Sequence, residues 1–134
     1  MKPVFRPTLV SFDRKAALIV IPVTVKMGEE VFKYKFAVDT GATISLINSS
    51  VMTELGYEQH DSISTTHTIT ASKVEAVYEY SLDNIMALGL IRRNFKVISR
   101  SLPTGLGIDG LLGLNFFKDK ELTIDFKLSE IKLK

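Results

Sequence analysis

A chain of 134 residues, 46% hydrophobic and 24% charged, has room for one packed core and is too apolar to stay disordered. Its net charge of +2 supplies no field for gripping a nucleic acid, and the absence of cysteine excludes disulfides and thiolate metal sites. His60 and His67 are the only histidines, so no metal and no cofactor is expected.

One domain over residues 1–134 is the expected organisation. Residues 1–15 carry two prolines and the run Asp13-Arg14-Lys15, which suits an irregular arm or a short edge strand. The first apolar run, 16–25, follows fifteen mixed residues and is interrupted by Pro22. It reads neither as a secretion signal nor as a membrane span, so a cytoplasmic protein with no membrane partner is expected. Residues 17–26 and 31–38 are apolar and β-branched, and Met27-Gly28-Glu29-Glu30 between them supplies a turn. This hairpin leads directly into Asp39-Thr40-Gly41-Ala42.

An acid at the end of a strand, followed by a hydroxyl and a glycine, is a carboxylate held by rigid backbone beside a loop free to turn. The same tripeptide also serves as an ordinary turn and occurs by chance in about 3% of chains this long. Further along, Asn48-Ser49-Ser50 can cap a short helix with Val51, Met52 and Leu55 on one face and Gly56 at its end. Residues 58–66 are polar and read as a loop, and residues 69–88 contain extended sequence with Val77, Tyr78 and Tyr80. A turn is expected at 89–94, a strand at 95–99, and a loop with Pro103, Gly105 and Gly107 at 102–109. The apolar Leu111-Leu112-Gly113 comes next, then a short helix beginning at Asn115 and terminal strands at 121–126 and 130–133. Lys127, Lys132 and Lys134 near the end read as a solvated strand face.

Asp39-Thr40-Gly41-Ala42 and Leu111-Leu112-Gly113, in this order and spacing, resemble the two motifs of retropepsin-type aspartic proteases over residues 17–128. The resemblance implies an all-β, small closed barrel with one or two short helices, a protein or peptide substrate, and Asp39 as the catalytic acid. It implies that Thr40, Gly41, Ala42, Leu111, Leu112 and Gly113 support the active-site loop. It also implies a flap near Ala71, Ser72, Lys73 and Val74, although no glycine stands at the presumed tip. Viral members carry an Asp–Arg pair where this chain has Thr43 and Leu114, so the cellular or bacterial branches match better.

Hydrolysis by water needs one group to take a proton and another to give one, which two carboxylates sharing a proton supply. The chain carries one such motif and no internal repeat. The second carboxylate comes from a twofold mate or from Asp109, and the Gly110-Leu111 after Asp109 favours the mate. In the resembled family the terminal strands, here around residues 4–10, and the motif threonine, here Thr40, join the two chains of a homodimer. The competing readings are a non-catalytic peptide-binding or dimerisation module of the same fold, and a nucleic-acid-binding barrel, which would want aromatic platforms among basic residues.

Overall fold

A computed structural model describes residues 7–69 and 74–134. The strands are β1 (Thr8–Ser11), β2 (Val20–Met27), β3 (Glu30–Val38), β4 (Ser45–Asn48), β5 (Ser64–Ile69), β6 (Val74–Ala87), β7 (Leu90–Arg100), β8 (Gly110–Leu112), β9 (Leu122–Asp125) and β10 (Glu130–Leu133). Helix α1 (Ser49–Glu54) follows β4, and α2 (Leu114–Phe117) follows β8.

Strand pairing runs β2-β3-β8-β4-β7-β6 and returns to β2 through Val25 opposite Ile85. Six strands thus close into a barrel, which removes all but the outer edges that an open sheet would present. Two of its contacts, β3–β8 and β4–β7, are parallel. Alternation explains why the barrel fills: in β2, Ile21, Val23 and Val25 are buried while Pro22 and Lys26 face solvent. Phe36, Ile47, Leu82, Val97, Leu112 and Phe116 complete a core in which each full burial contributes about 1.5–3 kcal/mol. A second sheet, β1-β10-β9, turns Ile131 and Leu133 into the same core. Among the described residues no helix is long and apolar enough to cross a membrane.

Four local expectations change. Residues 64–66 are strand rather than loop, because β6 runs past the barrel and its backbone groups there pair with β5, from Ser64 opposite Glu79 to Ile69 opposite Val74. The hydroxyl side chains of Ser64 and Thr65 stay exposed, so no apolar alternation announces the strand. The turn expected at 89–94 is the two-residue Leu88-Gly89, with φ of 51° and 78°, and β7 already pairs from Leu90. Leu88 accepts that backbone because its side chain is buried. Asn48 takes the N-cap position of α1 but makes no capping bond; its Oδ1 accepts from the Leu102 amide at 3.4 Å. Asn115 does not begin the second helix, which starts at Leu114 with Gly113 as its cap residue.

Candidate active site

The parallel pair β3–β8 places Val38 opposite Leu112, and one residue further the Asp39 amide donates to the Leu112 carbonyl at 2.9 Å. Asp39 is therefore the last residue held by the barrel before the chain leaves it. The loop folds back on that carboxylate: Gly41 N–H donates to Asp39 Oδ1 at 2.9 Å and Ala42 N–H to the Asp39 carbonyl at 3.2 Å. A Cβ on Gly41 would stand 3.2 Å from Oδ1, so a side chain there crowds the acceptor. Asp39 is half-buried, whereas Thr40 and Gly41 are exposed.

Leu111-Leu112-Gly113 threads beside this loop, with Leu112 buried and Leu111 between Ala37 and Leu46. Gly113 is dictated by close approach, since a Cβ would lie 2.6 Å from the Ala42 carbonyl oxygen. The next two amides satisfy the loop's carbonyls: Leu114 N–H donates to Ala42 at 2.8 Å and Asn115 N–H to Thr43 at 3.2 Å. Both motifs thus meet in one constellation of Asp39, Thr40, Gly41, Ala42 and Gly113.

A polar pair that sequence reasoning missed, Ser45 buried and Asn115 half-buried, sits beside the loop. Ser45, wholly buried, accepts from Gly113 N–H at 2.9 Å and donates to Asn115 Oδ1 at 2.8 Å. The same oxygen accepts from Ser45 N–H at 2.8 Å, and Asn115 Nδ2 donates to the Lys96 carbonyl at 2.8 Å. Serine 45 and asparagine 115 are 70 residues apart, and no local pattern pairs them.

Asp109 stands at the opposite end of the β3–β8 pair. Its Oδ2 accepts from the Lys35 amide at 2.9 Å, and its own amide donates to the Lys35 carbonyl at 2.8 Å. Four residues separate Lys35 from Asp39, or roughly 13 Å of strand, so the two carboxylates do not share a site. Nearby, Tyr34 OH donates to Glu54 Oε1 at 2.5 Å and ties β3 to α1. Burial, then the Glu54 hydrogen bond and charge, with a smaller contribution from Asp109, push this phenol well above its usual range.

An open cleft of about 530 Å³ borders the loop, lined by Thr40, Thr43, Leu114, Phe117 and Lys118 among others. Thr43 and Leu114 are both exposed on it, so the absent Asp–Arg pair leaves no buried charge behind. Of the expected flap, Val74 opens β6 and is 63% exposed; Ala71, Ser72 and Lys73 lie outside the described residues. Among the described residues no group of three or more histidine or acidic side chains is gathered to hold a metal ion.

The family model described as aspartyl protease matches residues 21–116, more than half of the chain. No curated protein sequence matches significantly. Among solved structures, a retropepsin-like aspartic protease from Rickettsia conorii superposes with a TM-score of 0.73 at 20% identity, covering 96% of this chain and 89% of that one. The retroviral protease-like domain of Ddi1 from Leishmania major gives a TM-score of 0.52 at 20% identity, over 84% and 85% of the two chains. The chain belongs to the aspartyl protease family, and its six-stranded barrel is the retropepsin-like fold.

Proposed function

We propose that the chain is an aspartic endopeptidase, active as a homodimer in which two Asp39 carboxylates meet across a twofold axis and act on an extended protein or peptide. The observation that carries the reading is Asp39 itself, its amide bonded to Leu112 and its carboxylate accepting from Gly41 N–H, on a loop whose Thr40 is exposed. Asp109, the other acid beside the β3–β8 pair, is bonded to the Lys35 amide. One motif per chain then calls for a mate.

In this reading the ionised member of the pair takes a proton from a water, whose oxygen bonds to the peptide carbonyl carbon. The protonated member gives its proton to the carbonyl oxygen. Collapse of the resulting diol breaks the C–N bond as the amine nitrogen is protonated and one hydroxyl proton returns to the dyad, leaving an acid, an amine and a singly protonated pair. Thr40 on each loop would bond across the axis and hold the two carboxylates in register. A single domain over residues 1–134 and a cytoplasmic setting belong to the same reading.

Cleavage of casein by the purified chain, blocked by a pepstatin-type inhibitor and falling away on both sides of an optimum below neutral pH, is the expected result. Inhibitor binding without cleavage would instead favour a peptide-binding module of the same fold. A rate that climbs steadily into alkaline pH would point to a different mechanism.

A further inference from the structure

We propose that Asn115 is the positioning residue of the active-site loop, setting turnover by fixing, through Ser45, where Gly113 and the Asp39 loop stand relative to each other. The proposal rests on the peptidase reading above. The loop from Asp39 to Ser45 buries little: Thr40, Gly41 and Thr43 are exposed and Asp39, Ala42 and Ile44 only half-buried. Directional bonds therefore decide its place: Leu114 and Asn115 N–H hold the Ala42 and Thr43 carbonyls along its length, and further bonds hold its two ends. At the first end Asp39 is bonded to Leu112, and at the second Ser45 is bonded to Gly113 and Asn115.

The side-chain amide of Asn115 has one workable orientation. Its oxygen receives both Ser45 N–H and Ser45 Oγ–H, and its nitrogen donates to Lys96. A flipped amide would oppose two donors with an NH₂ group and leave the Lys96 carbonyl facing an oxygen. One side chain thereby joins the start of β4, the β8–α2 junction and β7. A buried serine contributes little net stability even when fully bonded, and apolar residues of similar size would fill the space as well. What the polar pair adds is direction. In a twofold dimer any displacement of the loop is repeated by the mate, so it enters the Asp39–Asp39 separation twice.

Asn115→Asp tests this, because the carboxylate keeps both bonds from Ser45. Its second oxygen repels the Lys96 carbonyl when ionised and donates to it when protonated. The charged groups around position 115 are Lys118 and Lys120 on the adjoining cleft and Arg92, which binds the Phe116 and Lys118 carbonyls. Lys96, whose ammonium lies 3.7 Å from Glu79, and Asp39 on the loop are charged as well. The cations favour the ionised form, and Asp39 and Glu79 oppose it.

Relative to wild type, kcat of Asn115→Asp should fall roughly tenfold or more as pH rises through titration of the new carboxyl, recover at acid pH, and leave KM nearly constant. Ser45→Ala, which loses the hydroxyl at every pH, should lower kcat without acid recovery, and it carries the test if Asn115→Asp does not fold. A kcat ratio flat in pH for Asn115→Asp, or unchanged kcat with only a lowered Tm for either variant, overturns the proposal. If wild type itself cleaves nothing, the peptidase reading falls, and the lock is judged by amide exchange in Asn115→Asp. Gly113 and Gly41 should then lose protection at neutral pH and regain it in acid while Val25 is unchanged, and unaltered protection at Gly113 would refute it.

Discussion

Asp39 and Asp109 sit at opposite ends of one pair of parallel strands, and their surroundings give them different work. Asp109 precedes β8, and its carboxylate is committed to the Lys35 amide across the pair. Asp39 follows β3, and among the described residues the bond onto its carboxylate comes from its own loop, through Gly41 N–H. The first arrangement closes a gap between two strands. The second ties the backbone to Leu112 and one carboxylate oxygen to Gly41 while the residue stays half-exposed. An acid near a glycine thus acquires a role from where its strand ends, since a residue that still faces a neighbouring strand is drawn into pairing.

Substitution should separate the two ends. Asp39→Asn is expected to lower kcat by roughly a hundred- to ten-thousandfold with Tm and barrel structure retained, because the amide matches the carboxylate in shape and cannot take a proton. A mutant that still cleaves casein at the wild-type rate would put the chemistry elsewhere. Gly113→Ala probes the scaffold at the Asp39 end: a methyl 2.6 Å from the Ala42 oxygen should cost roughly 1–3 kcal/mol in a denaturant titration and lower kcat as the loop shifts.

At the Asp109 end the expected effects are smaller. Tyr34→Phe removes the bond to Glu54 and should cost about 1 kcal/mol at neutral pH. The sign of its pH dependence follows from a phenol raised above its usual value of about 10. The folded state holds that proton more tightly, so the contribution is full below pH 10 and is lost as pH rises beyond it. Alkaline unfolding of wild type should be steeper than that of Tyr34→Phe, and parallel curves would contradict the assignment. Asp109→Asn keeps an acceptor for the Lys35 amide and should cost under about 1 kcal/mol with activity intact. Its sharper readout is Tyr34, whose phenol should titrate slightly lower once the Asp109 charge is gone.

Much of the fold was legible because the barrel strands announce themselves. The apolar, β-branched runs on either side of the turn at Gly28 mark the first hairpin, and Asp39-Thr40-Gly41 and Leu111-Leu112-Gly113 mark where two loops meet. Sequence pattern is silent where structure is held by backbone or by distant polar partners. β5 has exposed hydroxyls at Ser64 and Thr65 and is fixed by its ladder to β6, which composition does not reveal. Leu88 hides a turn because an apolar residue there signals strand, and Asn94, at φ 50° inside β7, signals a turn where pairing continues on either side. Asn115 reads as a helix start because asparagine commonly caps. Its bonds go instead to Ser45 and Lys96, both far away in the chain.

Either one chain or two could supply the acids of the dyad proposed above. Wild-type and Asp39→Asn chains, unfolded together in equal amounts and refolded with random exchange verified, give the direct test. If Asp39 works with its mate, only wild-type pairs are active, and the mixture should retain roughly a quarter of the activity of wild type at the same total concentration. Retention of about half, with Asp109→Asn as inactive as Asp39→Asn, would place a complete site within each chain and contradict the dyad across the axis.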